Sequence, residues 1–517
     1  MTNASATPPD ITKIITEACA RGMTVTTCNS GDYKERKAVH NARLDSDPLV
    51  IVTCRDAQDV SFWMQSLEGI DISISVRSGG HHHEGMCSND DGVVLVMQPD
   101  IPLKIIGDFA WIAPGRKLGE IIGELASHGR MMPTGGCGSV NVGGLTNGGG
   151  WGMSYRNKGL TVDALREVEM VLPDGEIVSF DKEKFTKGNT DLATAKDLFW
   201  AIRGGGGGNF GVVTRFKFEL YDPGPVFTTF ALQYGKPSRH EAALAWMELC
   251  RSADHRLNTF ARMSVADGDA IELRRPAFSI IGVFYGPQAD CAEALKPVLA
   301  KEPFSISIEP HEFGTQDSYQ RAMFLSAGGE GPRDNATGEL LPLQAYALQV
   351  GALSADGPKS TCKTPEPHKI SSAIVEDGCD EAVLTAAEAY IDAHQDKADT
   401  NMYLSLHGMG GCGADTTQNV DAAFPWRGKA YMLQVQAWWI KDSPKVKNCE
   451  ILDWVCGFRK KLADTGHVEG AFINFPDRKQ KIRLYYGGSW DELYRIKKQV
   501  DEDNRLGFEM GILGPRQ

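Results

Sequence analysis

The feature that most constrains this chain is a glycine-rich stretch between residues 131 and 160, which surrounds a single cysteine, Cys137. Glycine adopts positive φ freely and weakens helices and strands, so this density of glycine predicts a loop instead of a regular element. A main chain without side chains also comes close to a flat or charged ligand. The stretch therefore predicts a backbone cradle.

Two further loops have the same character. They are RSGGHHHEG at residues 77–85 and RGGGGGNFG at residues 203–211. Three glycine-rich loops, two of which carry nucleophilic side chains, indicate one large cofactor held at several points. The P-loop pattern GxxxxGK[ST] is absent, and so is GxGxxG after a first strand, so neither a nucleoside triphosphate nor a nicotinamide cofactor is expected.

The composition narrows the class of partner. The 517 residues carry a net charge of −13, which disfavours nucleic acid and anionic membranes and favours a small-molecule substrate. The chain shows no signal-peptide pattern and no long apolar run, so we expect a soluble, cytoplasmic protein that is a monomer or a small homo-oligomer. Its 12 cysteines lack pair spacing and are predicted to be mostly reduced core residues.

Apolar periodicity predicts an α+β fold. Strand and helix patterns alternate from Pro48 to the turn sequence DPGP at residues 222–225. Longer strand patterns separated by helices follow, which predict an antiparallel sheet covered by helices. The C-terminal segment is too short to fold alone and is expected to pack back on the first unit. The predicted domains are residues 1–223, 224–455 and 456–517.

The two loops with nucleophilic side chains have ordinary alternatives. The sequence His81-His82-His83 is also compatible with a solvated polar loop, and a metal site would need further ligands. Cys137 is also compatible with a buried structural thiol. The glycines around both favour the interpretation that they contact a planar ligand.

These loops resemble those of a known family. RSGGHHHEG resembles the RSGGHxxEG loop, and GGCGSVNVGGLTNGGGWGMSYRNKGL resembles the GxCxxVxxGGxxxGGGxGxxxRxxGL loop, of the berberine-bridge-enzyme-like oxidases in the vanillyl-alcohol oxidase / p-cresol methylhydroxylase superfamily. DLFWAIRGGGGGNFGVVT, FINFPD, YYG and DEDNRLGF resemble further elements of that family. The likeness runs from about Pro48 to Phe508.

The resemblance implies a fold and a cofactor. The first domain and the C-terminal return would bind FAD, and the central domain would cover the isoalloxazine ring. His81 matches the histidine that bonds the flavin 8α-methyl group, and Cys137 matches the cysteine that bonds carbon 6. The resemblance places Val140 over the face that reacts with oxygen, where valine resembles members that use O2. The other implied FAD contacts are Arg77, Ser78, Gly79, Gly80, Gly143, Gly144, Gly148, Gly149, Trp151, Asn209, Gly211, Val213 and Asn474.

The chain departs from the family where a proton acceptor is expected. Phe475 and Phe472 replace the two tyrosines of YxNYxD, and Met432 aligns with a glutamate that serves other members as base. Strand alternation groups Tyr403, Ser405 and His407 on one face, and Met432, Gln434 and Gln436 on another. The catalytic candidates are His407, His83 and Gln434, although a structural role for His407 at its strand end is an open alternative.

We therefore expect an oxidase that takes hydride from a small, aromatic or polycyclic secondary metabolite and reduces O2 to hydrogen peroxide. The substrate would be an alcohol, an amine or a compound that undergoes oxidative cyclisation. A carbohydrate C1-hydroxyl oxidase with a relocated base is the first alternative. A flavin-loaded binding protein without turnover is the second.

Overall fold

A computed structural model describes residues 8–181, 185–187, 192–265, 276–313, 366–394, 399–415 and 421–516. Within these ranges the strands form three sheets, and the α+β architecture predicted from the sequence is confirmed. The strands are β1 (Thr24–Thr26), β2 (Val50–Cys54), β3 (Ile74–Arg77), β4 (Val93–Met97), β5 (Lys104–Ile106), β6 (Phe109–Ile112), β7 (Leu165–Val171), β8 (Ile177–Asp181), β9 (Phe185–Lys187), β10 (Val212–Glu219), β11 (Val226–Tyr234), β12 (Leu257–Ser264), β13 (Phe278–Phe284), β14 (Ser305–Glu312), β15 (His368–Val375), β16 (Thr400–Gly408), β17 (Tyr431–Trp439) and β18 (Val468–Gly470).

The helices lie between and around these strands. They are α1 (Pro9–Ala20), α2 (Tyr33–Lys37), α3 (Ala57–Ser66), α4 (Leu118–Ser127), α5 (Val142–Asn147), α6 (Tyr155–Lys158), α7 (Leu192–Ala201), α8 (Lys236–Ser252), α9 (Gln288–Ala294), α10 (Lys296–Leu299), α11 (Asp380–Asp392), α12 (Asn448–Ala463), α13 (Arg483–Tyr486) and α14 (Trp490–Val500). In the part of the chain described here, no helix has both the length and the apolar character that crossing a bilayer requires.

The first sheet has the order β1-β2-β4-β3, with β2, β4 and β3 parallel. Its central strands are largely apolar because a parallel sheet is buried on both faces. Helix α3 begins after Asp56, whose carboxylate accepts a hydrogen bond of 2.9 Å from the Asp59 amide. Strand β3 ends at Arg77 and leads directly into the first glycine-rich loop.

The second sheet is antiparallel, with the order β5-β6-β10-β7-β8-β9. Phe216 and Phe218 on β10 are buried, in agreement with the alternation of that strand. They share a core with Tyr485, Leu493 and Ile496 from the C-terminal segment. The end of the chain thus completes the core of a unit built near its beginning.

The third sheet is the largest, with the order β14-β11-β13-β12-β16-β17-β15-β18. Helices α8, α11 and α12 cover one face and bury Trp246, Leu384 and Phe458 against it. Successive side chains on a strand point to opposite faces, so β12, β16 and β17 present every second residue to the other side. That side faces the glycine-rich loops.

Two sequence expectations are wrong in detail. The stretch from 131 to 160 is not loop throughout, since it forms the short helices α5 and α6. In α5, a Cβ on Gly143 would lie 2.4 Å from Ser78 Oγ and 2.8 Å from Pro114 Cβ. The missing side chain lets the helix pack closely against the first loop, and this packing outweighs the low helix propensity of glycine.

The second correction concerns the domain boundary predicted between residues 455 and 456. Helix α12 runs through it, and Ile451, Val455 and Phe458 pack in the core of the third sheet. Strand β18 also pairs with β15 in that sheet. A boundary after Gly470 fits the structure better, because α12 buries its apolar face against the third sheet. The division into domains stays a prediction.

A buried ion cluster joins the large sheet to the rest of the molecule. Lys369 on β15 is 3% exposed and contacts Glu84, which follows the first glycine-rich loop. Its Nζ also lies 2.5 Å from Asp477 Oδ1 in the C-terminal segment. Burial opposes ionisation of Asp477, but the charge of Lys369 and several hydrogen bonds outweigh it and hold the pKa of this carboxyl below its usual value. One lysine thus connects three distant segments.

We expect Lys369→Met to reduce the free energy of unfolding by about 3–5 kcal/mol, because the carboxylates of Glu84 and Asp477 would lose their shared buried partner. Lys296→Met is the matched control, since it removes a lysine from an exposed pair with Glu293 and should cause no measurable loss. Urea unfolding of both variants checks this expectation. Equal stabilities would contradict it.

Candidate active site

A cavity of about 410 Å³ lies between the glycine-rich loops and the third sheet. Residues of all three loops line it, together with residues 473–476 and side chains from β12, β16 and β17. A volume of this size is typical of sites for small molecules and cofactors. The three loops that the sequence singled out therefore meet at one place.

Most residues that the resemblance assigns to FAD line this cavity. They are Ser78, Gly79, Gly80, His81, Cys137, Val140, Gly143, Gly144, Gly148, Trp151, Asn209, Gly211, Val213 and Asn474. The catalytic candidates His83, His407 and Gln434 line it as well. Arg77 and Gly149 do not.

Arg77 is the first of these two exceptions. Its guanidinium is buried and donates to the carbonyl oxygens of Arg36 at 2.7 Å and Cys87 at 3.2 Å, and to Ser88 Oγ at 2.8 Å. Arg77 thus holds neighbouring segments together and does not line the cavity, and its expected contact with the pyrophosphate stays a prediction.

Gly149 is the second exception. A Cβ at this position would lie 3.3 Å from the ring of Phe424 and 3.6 Å from Leu160, so the residue faces a packed core. Its φ of +114° also favours glycine. The residue shapes the loop without lining the cavity.

Two asparagines hold the shape of the loops. Asn474 Oδ1 accepts a 3.2 Å hydrogen bond from the Gly150 amide, and its Nδ2 donates to the Gly144 carbonyl at 3.2 Å. Asn209 Oδ1 accepts from the Ile512 amide at 3.0 Å. The C-terminal segment therefore fixes two of the three glycine-rich loops.

His81 and Cys137 project from different loops into the same cavity. The His81 ring stacks on His40 with centroids 3.8 Å apart. Burial lowers the pKa of His81 to about 3, so its imidazole is neutral and keeps a lone pair. Cys137 Sγ lies 3.4 Å from Ser139 Oγ.

His82 and His83 have different partners from His81. His82 Nδ1 accepts from the amide of Glu84 at 3.1 Å, and therefore closes the turn of its own loop. His83 Nδ1 lies 2.9 Å from His368 Nε2, at the edge of the third sheet. Burial lowers the pKa of His83 well below its usual value, so this imidazole is also neutral. The three adjacent histidines thus contact three different groups.

His407 lies among aromatic rings on the sheet side of the cavity. Its Nε2 is 2.9 Å from Gln434 Oε1, and its Nδ1 is buried with no hydrogen-bond partner among the described residues. Ring centroids lie 4.5 Å away for Trp151, 5.0 Å for Phe260 and 5.1 Å for Phe475. A buried nitrogen without a partner needs an explanation, and a donor on a bound ligand would supply one.

The residues that replace the family's bases occupy different places. Phe475 lines the cavity beside His407, whereas Phe472 and Met432 pack in a separate core with Phe424. His407 therefore adjoins the position of the missing tyrosine. His40, Phe260 and Trp438 also line the cavity. They were not predicted from the sequence, because none of them belongs to a glycine-rich motif.

Comparison with known proteins agrees with this geometry. Residues 48–181 match the family model described as FAD binding domain, and residues 471–513 match the model described as berberine and berberine like. The chain is an FAD-linked oxidoreductase whose matched segments are similar to those of berberine-bridge-enzyme-like proteins. Its two matched segments are those that the sequence assigned to a two-part FAD-binding domain.

Relatives of this oxidoreductase extend over nearly its whole length. An uncharacterized FAD-linked oxidoreductase of Bacillus subtilis, YgaK, is 25% identical over 94% of this chain and 96% of its own. Berberine bridge enzyme-like 19 of Arabidopsis thaliana is 25% identical over 92% of this chain and 81% of its own. Glucooligosaccharide oxidase of Acremonium strictum, which carries 6-S-cysteinyl, 8α-N1-histidyl FAD, has the same fold, with a TM-score of 0.76, 20% identity and coverage of 96% and 98%.

The cavity of the oxidoreductase suits FAD on physical grounds. Within the described residues, no Asp or Glu lines it, so the negative phosphates of FAD would meet no carboxylate. Gly143 is tightly packed, but the main chain is open at the neighbouring Gly144, where an added Cβ would have no atom within 4 Å. The lining thus combines open backbone with an uncharged or positive surface.

The buried state of His407 makes stability depend on pH. Burial lowers its pKa from 6.5 to about 3, partly opposed by the hydrogen bond to Gln434. The unfolded chain binds a proton at this histidine below about pH 6.5 and the folded chain does not, so stability falls as pH falls from there towards 3. We expect His407→Gln to lessen this loss by up to about 1.4 kcal/mol per pH unit.

Urea unfolding between about pH 7 and pH 4 measures the effect. His255→Gln, which alters an exposed histidine, is the control and should leave the slope unchanged. An identical slope in wild type and His407→Gln would show that His407 takes up its proton in the folded state.

Proposed function

We propose that this oxidoreductase is a bicovalent FAD oxidase, with the flavin attached through His81 and Cys137. The observation that carries the proposal is that these two side chains leave separate glycine-rich loops and enter one cavity. When bound, FAD supplies a two-electron acceptor that takes hydride from the substrate and passes the electrons to O2, which forms hydrogen peroxide. A neutral His81 keeps the lone pair that a covalent bond requires.

The cavity also supports a class of substrate. Its sheet side is lined by the aromatic side chains of Trp151, Phe260, Tyr403, Trp438 and Phe475. Aromatic walls favour flat apolar ligands, which bury area against them and stack on their faces. We infer that the substrate is a small aromatic or polycyclic secondary metabolite with an oxidisable alcohol or amine, or one that cyclises on oxidation.

Oxidation of an alcohol also needs a proton acceptor, because hydride leaves the carbon readily only as the hydroxyl is deprotonated. His407 is the best candidate, since its Nδ1 is buried beside the aromatic walls and has no hydrogen-bond partner among the described residues. Gln434 would orient it through the 2.9 Å contact to Nε2. His83 is the second candidate, although its Nδ1 already contacts His368.

A carbohydrate C1-hydroxyl oxidase is the alternative that the shared fold with glucooligosaccharide oxidase favours. Gln434 and Arg262 line the cavity and would suit sugar hydroxyls. Peroxide release across a panel of alkaloids, polyketide alcohols and oligosaccharides separates the two enzymes. Release with none of these classes would favour a flavin-loaded binding protein.

Attachment of the flavin is directly testable. The denatured wild-type protein should remain yellow and be heavier by one FAD, because two covalent bonds survive unfolding. His81→Ala and Cys137→Ala should each keep the flavin through the other bond, and the double variant should release it. Acid precipitation followed by mass spectrometry checks this. Free flavin in the supernatant of wild type would overturn the proposal.

Use of O2 is tested at Val140, which lines the cavity. We expect Val140→Leu to slow reoxidation by O2 about tenfold or more, since the added methylene fills space that O2 needs in a closely packed wall. Val140→Ala, the control, should reoxidise at least as fast as wild type. Stopped-flow reoxidation of photoreduced enzyme needs no substrate. Equal rates in Val140→Leu and wild type would show that O2 enters elsewhere, and slow wild-type reoxidation would indicate a dehydrogenase.

A further inference from the structure

We propose that Trp438, acting through the side-chain amides of Gln436 and Gln434, holds His407 in the tautomer that carries its hydrogen on Nε2. The bare Nδ1 of this cavity-lining residue then accepts the proton of the substrate's O–H or N–H group. The inference rests on the proposed function for the role of that proton, but the tautomer itself is a property of this chain.

The strand register brings the four side chains together. Residues 434, 436 and 438 alternate along β17 and therefore share one face. On the neighbouring strand β16, Ser405 pairs with Gln434 and Tyr403 pairs with Gln436. His407 lies one step further along the same face. The set is thus a ladder across two central strands of the third sheet.

The direction of the hydrogen bonds is fixed at Trp438. An indole N–H only donates, and it lies 3.1 Å from Gln436 Oε1. The reversed amide would place its NH2 group against the indole N–H, with two donors facing each other. The Tyr403 hydroxyl donates to the same oxygen at 3.1 Å. The oxygen of Gln436 therefore accepts two hydrogen bonds.

The NH2 group of Gln436 determines the orientation of the Gln434 amide. It has two hydrogens, one donated to Ser405 Oγ at 2.7 Å and one to Gln434 Oε1 at 3.0 Å. All four hydrogen-bonding positions of the Gln436 amide are thus used. Because Gln436 is the donor, the atom of Gln434 that faces it must be oxygen.

The same oxygen determines the state of His407. Gln434 Oε1 lies 2.9 Å from His407 Nε2 and accepts only, so Nε2 must carry the hydrogen. A neutral imidazole has one N–H group, which leaves Nδ1 bare. Burial keeps the ring neutral, since it lowers the pKa of His407 to about 3. Nδ1 finds no donor among the described residues.

A donor on the substrate would complete this site. For an alcohol, the O–H proton would move to His407 Nδ1 while the C–H bond breaks and a C=O bond forms, and the electron pair of the C–H bond would leave as hydride, for which bound FAD would be the acceptor. The imidazolium that results still donates from Nε2 to the Gln434 oxygen. Trp438, Gln436 and Gln434 act here as positioning residues, because their effect on the proton transfer passes through His407.

The tautomer is measurable in the holoenzyme without any substrate. Protein labelled with 15N-histidine gives long-range proton–nitrogen NMR correlations that distinguish a bare ring nitrogen from an N–H group, and the His407 signals are those lost in His407→Gln. We expect hydrogen on Nε2 in wild type. Hydrogen on Nδ1 would overturn the proposal.

Gln436→Glu tests the relay itself. At about pH 8 the introduced carboxylate is ionised and only accepts, so Gln434 must turn its NH2 group towards it and towards His407 Nε2. The hydrogen of His407 should then move to Nδ1, which inverts the tautomer. An unchanged tautomer would contradict the relay.

Trp438→Phe and Trp454→Phe form a matched pair. Trp438→Phe removes the fixed donor and should give signals of both tautomers. Trp454→Phe removes a buried indole N–H that has no partner in the described ranges and should leave His407 unchanged. If Gln436→Glu does not fold, this pair still decides the matter, and identical spectra would overturn the proposal. Flavin released by acid would contradict the proposed function and leave the tautomer result intact.

Discussion

The third sheet is held over the glycine-rich loops by charged groups that are buried between the two parts. Lys369 contacts Glu84 and Asp477, and all three side chains are at most 3% exposed. Arg156, which follows the Cys137 loop, donates to the carbonyl oxygens of Leu257 at 2.7 Å and Ala253 at 2.8 Å. Buried charges are costly unless they are paired, so each contact permits essentially one docking position. The cavity has its shape because that position is unique.

Enclosure by these parts sets the chemistry of the cavity. Its walls remove water from several imidazoles, and burial lowers the pKa of His40 and His82 to about 4 as well as those of His81 and His407. A neutral imidazole is the form that bonds a flavin methyl group and also the form that accepts a proton. Desolvation therefore keeps these imidazoles neutral, and the hydrogen bonds of each ring decide which nitrogen keeps a lone pair.

Much of the fold followed from local patterns. The Asp56 cap, the alternation of β10 and the apolar strands of the first sheet are short-range features whose physics is complete within a few residues. The glycine-rich loops likewise predicted the cavity, since glycine lets the backbone come close to a ligand. At α5, the close packing of Gly143 against Ser78 outweighs the low helix propensity of glycine.

The sequence by itself determined the fold class, the three loops that build the cavity and the residues at which the family's bases are missing. Only the tertiary structure decided that Arg77 donates to the Arg36 carbonyl, that α12 belongs to the large sheet and that His407 lies beside the aromatic walls with no partner for Nδ1 among the described residues. The reason is that these outcomes depend on atoms far apart in the chain. The orientation of His407 follows from the register of β16 against β17. Neither this register nor the direction of hydrogen bonds between the strands can be predicted from the spacing of residues along one strand.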